Sequence, residues 1–374
     1  MSVMFGSRRI EIQKGQGAEV YDTSGKHYID FVCGHGSSLF GHNHPKLVKV
    51  LKESSEYPWS IGVGFESRDR RMFMERLREI LPGGKVFLCN SGTESIEAAL
   101  KLVSVFRPER KGIVALRRSF HGRTLGALSL TFNPRYRSTW KDMLQEVVHV
   151  TPEQIPRVID KSTAAVFVEP VQGEGGIHVM DKRSAGMIND SCRKNGVILV
   201  SDEIQSGWGR CGSLLGSSMT GLKPDMVCLA KGVAGGLPVG ATIWKGELGD
   251  FPVMGHGTTY GGNPLVSSVG LAALDLINSE KYPEHALRMG EYFRGLLSGI
   301  SSPLIKEVRG LGLLTGVELT VKASSVISKL EEKGVLALSA GPMVVRFLPP
   351  LVVKKEHLDQ VVSAMEETLG ELSE

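Results

Sequence analysis

No apolar run in this chain reaches the roughly 18 residues that a helical membrane span requires. Residues 1–9 carry no charged-then-apolar targeting pattern. Cysteine is sparse: the five thiols, Cys33, Cys89, Cys192, Cys211 and Cys228, are odd in number and form no C-x-x-C pair. Reduced thiols in a soluble, cytoplasmic protein are the expectation. Histidine offers no metal site, because no carboxylate or third histidine lies at ligand spacing from His42 and His44, which read as loop structure. Net charge is only +4, and its basic runs are interrupted. That excludes a nucleic-acid binder, although a mildly basic surface favours anionic partners. The 45 glycines show no short period, and there are no internal repeats or low-complexity segments. A G-x-G-x-x-G after the first strand is also missing, so a nicotinamide dinucleotide site is not expected.

What is present is a β/α rhythm. The 374 residues exceed one compact core and suggest two or three domains. A hairpin is expected over 18–31, and helices over 46–54 and 70–81. Short apolar strands follow at 85–89, 112–116, 164–168, 197–200, 226–229 and 240–244. Helical periods at 93–106 and 183–195 separate some of them. Strands without alternation, interleaved with helices, imply an α/β fold: a mostly parallel central sheet with helices on both faces. After Gly262 the pattern changes to two long helices, a strand-like run over 311–318, a helix near 324–333, a strand at 343–347 and a last helix from 355. This reads as a smaller α+β domain over 265–374, joined by an N-terminal segment 1–40. A large domain then covers 41–264.

Chemistry gathers where strands end. Asn90-Ser91-Gly92-Thr93-Glu94 follows the strand 85–89. Its small residues leave backbone N–H groups at a helix start, an anion site or an ordinary cap. Ser201-Asp202-Glu203 follows 197–200, and alternation sends its two carboxylates to opposite sides. Ala230-Lys231-Gly232 follows 226–229, where desolvation would free the lysine amine as a nucleophile. Each feature alone has a bland explanation: a cap, a turn, a lysine reaching solvent. Together they put an anion cradle, an acid and a lysine at one sheet edge, the groups that pyridoxal phosphate needs.

The chain resembles the class III, fold-type I pyridoxal phosphate aminotransferases, from Gly17 to Pro350. The resemblance is carried by Gly41-His42-Asn43-His44-Pro45, Asn90-Ser91-Gly92-Thr93-Glu94, Phe120-His121-Gly122-Arg123-Thr124, Glu169-Pro170-Val171-Gln172-Gly173-Glu174-Gly175-Gly176, Asp202-Glu203-Ile204-Gln205, Leu229-Ala230-Lys231-Gly232 and Gly257-Thr258-Thr259-Tyr260-Gly261-Gly262-Asn263-Pro264. It implies Lys231 as the Schiff-base lysine and Asp202 as partner of the ring nitrogen. Gln205 would approach the ring hydroxyl, Phe120 would stack on the ring, and Gly92 and Thr93 would hold the phosphate. Thr259 would reach the phosphate of the neighbouring subunit, which implies a homodimer with shared sites. Arg123, Arg346, Glu174 and Thr258 would contact substrate. Glu174 would pair with Arg346 when the amine donor carries no carboxylate there, and swing away when glutamate binds.

Within the class, acetylornithine aminotransferases and the enzymes acting on lysine or ornithine attached to an acidic amino-group carrier protein look equally similar. The resemblance therefore implies transfer of a terminal amino group to 2-oxoglutarate. Ornithine or 4-aminobutyrate as donor is the alternative. Glutamate-1-semialdehyde aminomutase shares the fold and the lysine but lacks the glutamate found here as Glu174. A non-catalytic cofactor binder would not need Lys231, Asp202 and Glu174 together. His35, Ser37 and Ser38 depart from the mostly aliphatic family segment and leave the acyl group open. For His35 itself, local hydrogen bonding is the expectation.

Overall fold

A computed structural model describes residues 8–62 and 64–373. Residues 1–7, most of the stretch read above for a targeting pattern, lie outside it. The centre is a seven-stranded sheet in the order Lys85–Cys89, Gly240–Trp244, Met226–Leu229, Ile198–Asp202, Thr163–Val168, Gly112–Leu116, Val148–Val150. The four pairings from Met226–Leu229 across to Val148–Val150 are parallel. Gly240–Trp244 runs antiparallel to both of its neighbours. Thr163–Val168, Ile198–Asp202, Met226–Leu229 and Gly240–Trp244 are buried along their whole length, as both-face coverage by helices requires.

Capping explains where the flanking helices begin. Ser91 accepts from the Glu94 amide and starts Gly92–Phe106. Ser67 does the same for Arg68–Arg78, two residues earlier than the apolar period indicates. Asn263 caps Pro264–Ser279, with proline at the first turn.

Strand Val335–Leu336 pairs in parallel with His27–Asp30, which extends the N-terminal hairpin into a four-stranded sheet. A separate four-stranded sheet contains Ile305–Leu311, Leu314–Leu319, Val344–Phe347 and Leu338–Ser339. The run read as one strand over 311–318 is instead the turn and second arm of a hairpin. Gly312, at φ +54, reverses the chain. Missed altogether were the edge strand Val148–Val150 and the strand Ile12–Gln16. All five cysteines are buried and unpaired. No helix of the described residues is long and apolar enough to cross a membrane.

Candidate active site

The carboxyl ends of the parallel strands open onto a cavity of about 430 Å³. Its walls include Gly92, Thr93, Phe120, Asp202, Gln205 and Lys231, six positions that the sequence nominated for the cofactor. Arg123 and Glu174 line it too. Thr258 and Arg346 lie behind the wall. Thr258 Oγ1 accepts from the Asn90 side chain (3.1 Å) and from the Gly261 amide (3.1 Å). Thr259 is exposed and lies outside the cavity of its own chain.

Asp202 ends a fully buried strand. Its Oδ2 accepts from His121 Nδ1 at 2.7 Å, and its Oδ1 accepts from the Ile204 amide at 3.0 Å. Burial works against a charged imidazole, yet the hydrogen bond and charge of Asp202 hold His121 above its ordinary range. Beside this pair, Glu169 is buried, and burial pushes its carboxyl up. Glu169 accepts from the Phe120 amide (2.8 Å) and the Gly173 amide (3.2 Å), so it ties the ring-facing segment to the loop that bears Glu174. Glu203 points the other way, as alternation requires. It is buried and accepts from the Gly216 and Ser217 amides at 2.8 and 2.7 Å.

Lys231 opens a single 3-10 turn after Met226–Leu229, with φ at +50. A left-handed conformation at a non-glycine residue costs about 1–3 kcal/mol and is kept only where its surroundings enforce it. Burial lowers the amine to about 8, Glu174 partly counters this, and the Arg346 charge reinforces it. The group is therefore a usable nucleophile near neutral pH.

Arg346 is almost fully buried. Its Nη1 donates to Glu174 Oε1 (2.6 Å), Gly173 O (3.0 Å) and Gln205 Oε1 (3.2 Å). Burial alone would raise the Glu174 carboxyl, but the Arg346 charge and hydrogen bond hold it below its ordinary value. Arg346 Nε is buried with no partner among the described residues. Arg123 is exposed and lies 4.5 Å from the centre of the Tyr136 ring, which packs edge-to-face with Phe120, their centroids 5.6 Å apart. His35 is exposed, with φ +58, and no hydrogen bond to its ring is present among the described residues, so the expected local bonding is not found. Ser37 lines the cavity and bonds to Gly34 O at 2.8 Å. His42 and His44 bond to Asp30 and Tyr282 at 2.8 and 3.2 Å.

These groups fit pyridoxal phosphate. The Gly92 and Thr93 amides, first in their helix, have no intrahelical acceptor, and both residues line the cavity. A side chain at Gly92 would press on Ile204, with a Cβ 2.8 Å from its Cδ1. A buried carboxylate and a desolvated amine line the same space. Sequence reasoning missed His121, Glu169 and Ile204. All three sit inside motif blocks already singled out, but only the fold brings His121 and Glu169 to Asp202 and makes Ile204 an apolar wall of the cavity.

Fold and site together define a fold-type I pyridoxal phosphate enzyme. The family model for class-III aminotransferases matches residues 4–369. Among curated relatives, the chain is 40% identical to a [LysW]-aminoadipate semialdehyde transaminase of Deinococcus radiodurans, over 100% of this chain and 89% of that one. It is 36% identical to an acetylornithine aminotransferase of Methanocaldococcus jannaschii, over 99% and 96%. Among solved structures, an ornithine aminotransferase from Toxoplasma gondii superposes with a TM-score of 0.94 at 29% identity, covering 99% of this chain and 92% of that one. The chain belongs to the class-III aminotransferases, and it is an enzyme that depends on pyridoxal phosphate.

Proposed function

We propose that the chain transfers the terminal amino group of an acylated ornithine or lysine to 2-oxoglutarate, in arginine or lysine biosynthesis. The donor is N-acetylornithine, or lysine or ornithine carried on an acidic amino-group carrier protein. The names of the Deinococcus and Methanocaldococcus relatives support this donor class. One observation carries the catalytic reading: the Lys231 amine, the Asp202–His121 pair and the Glu174 carboxylate converge on one cavity.

Pyridoxal phosphate, when bound, supplies an electron sink for the carbon that loses its proton. Lys231 would hold the cofactor through its aldehyde, and its Nζ, when free, would carry the proton from the amine-bearing carbon. Asp202 carries the negative charge that keeps the ring nitrogen protonated, and His121 fixes the orientation of that carboxylate. Phe120 and Ile204 exclude water. Gly92 and Thr93 hold the phosphate, and Gln205 serves the ring hydroxyl. Arg123 and Thr258 contact substrate, and Arg346 takes the 2-oxoglutarate carboxylate once Glu174 moves aside.

Two chains form a homodimer in this reading, with Thr259 of each completing the phosphate site of the other. The exposure of Thr259 supports that role. The same reading divides the chain into a cofactor-holding unit over 41–264 and a smaller unit of 265–374 joined by 1–40. The pairing of Val335–Leu336 with His27–Asp30 supports the join. Half-reaction rates with N-acetylornithine, carrier-linked lysine, ornithine and 4-aminobutyrate test the donor. An acylated donor should lead by at least tenfold, which is about 1.4 kcal/mol of discrimination. A preference for free 4-aminobutyrate would overturn it.

A further inference from the structure

Glu174 sits in a loop that the C-terminal sheet grips from beneath. Arg309, Gly316 and Arg346 lie opposite one another on three adjacent strands and so share one face of that sheet. The two arginines stand on either side of a glycine, and both reach the same loop. Arg346 donates to Gly173 O (3.0 Å) and Glu174 (2.6 Å). Arg309 donates twice to Gly176 O, from Nε at 2.8 Å and Nη2 at 2.6 Å.

Between them, Ile177 descends onto Gly316. A Cβ at Gly316 would lie 2.8 Å from Ile177 Cγ1 and 3.0 Å from its Cβ, so only glycine admits it. Ile177 is fully buried at φ +59, a conformation that β-branched residues avoid unless packing imposes it. Its amide closes the loop on Gln172 O at 2.9 Å. On the upper side, a Cβ at Gly173 would collide with Gln205, and one at Gly175 with Arg118 O. The Arg309 charge is answered by Glu307 and Glu318, each at 2.6 Å, rather than by any group in the cavity.

We infer that Arg309 is a positioning residue for the amino-group exchange, which together with the Gly316–Ile177 contact clamps the loop backbone so that Glu174 leaves Arg346 by side-chain rotation alone. This rests on the reading of Glu174 and Arg346 as alternate partners. A clamped backbone returns the carboxylate to Arg346 after every acceptor turn. A loose one leaves Arg346 poorly neutralised when the donor, which brings no carboxylate there, is bound.

The test uses the holoenzyme with Arg309→Gln, Arg309→Lys and Gly316→Ala, with Glu174→Gln as reference. Exchange of the Ile177 amide should speed up about tenfold in Arg309→Gln and Gly316→Ala, the size of one lost charge-assisted hydrogen bond. The donor half-reaction should lose about tenfold in kcat/KM, while KM for 2-oxoglutarate does not rise. Arg309→Lys, which keeps the charge and one donor, should restore part of both. Equal losses in the two half-reactions, or unchanged exchange at Ile177, would overturn the clamp. If Arg309→Gln does not fold, Gly316→Ala decides by the same two readouts, because it leaves every charge in place. If Glu174→Gln itself shows no asymmetry between half-reactions, the alternate-partner reading has failed and the clamp's role in exchange fails with it. Asymmetry in Glu174→Gln but not in the Arg309 and Gly316 variants would remove the clamp alone.

Discussion

Consider Glu174→Gln. Glu174 Oε1 is 2.6 Å from Arg346 Nη1, and the arginine side chain is 1% exposed against 26% for the glutamate. Unit charges roughly 4 Å apart attract by about 4 kcal/mol at an effective dielectric near 20. Two effects reduce that figure. Gly173 O and Gln205 Oε1 still accept from Arg346 in the variant. The partly wet glutamate also recovers solvation when unpaired. About half should survive, or about 2 kcal/mol, which is roughly 30-fold in a rate ratio. The expected result is a loss of that size in kcat/KM for the donor half-reaction, read by stopped-flow absorbance of the bound cofactor. The 2-oxoglutarate half-reaction should hold within about threefold, because Arg346 no longer has to be released first. Equal losses in both directions, or none in either, would refute the assignment of Glu174 and Arg346 as alternate partners.

Lys231 makes a second, thermodynamic prediction. Its folded pKa, about 8, lies below the ordinary 10.5. Between those values the unfolded chain binds more protons, so the penalty for burying the amine is complete below pH 8 and fades as pH approaches 10.5. Lys231→Met should therefore melt higher than the parent apoprotein at pH 7, and the gap should close above pH 10. A lower melting temperature at pH 7 would contradict the lowered amine. Asp202→Asn should lower the His121 imidazole from its raised position, since the Glu169 charge alone would then oppose burial, and NMR titration of that ring reads the change. In the parent, a raised His121 contributes stability that is complete below the unfolded value near 6.5 and lost as pH rises through the folded one. Asp202→Asn should erase that pH dependence, and its persistence would point to another histidine. If Thr259 serves the neighbouring site, mixing inactive Lys231→Ala chains with a cofactor-weak Thr259→Val variant should restore some activity at low cofactor, because half the sites in a mixed dimer are intact. No gain on mixing would argue against sharing.

Asp202 and Lys231 were legible because each directly follows a short apolar run, and a parallel sheet sends such ends to one edge. The split between Asp202 and Glu203 followed from strand alternation alone. The Glu174–Arg346 pair joins positions 172 apart, and only the resemblance connected them. Arg309 and Gly316 gave no signal. Their meaning depends on cross-strand register, which hydropathy does not encode, and on Ile177 arriving from a loop distant in sequence. The direction of Gly240–Trp244 was hidden for a related reason: a strand buried on both faces looks the same whichever way it runs. Val148–Val150 was lost because three residues at a sheet edge carry no period to read.

The central claim is that one amine, Lys231 Nζ, carries pyridoxal phosphate. Purified protein should be loaded with the cofactor, trapped with borohydride, digested and mapped by mass spectrometry. The added mass should fall on Lys231 alone and be absent from Lys231→Ala. A trapped label on any other lysine, or none on the parent protein, would contradict it.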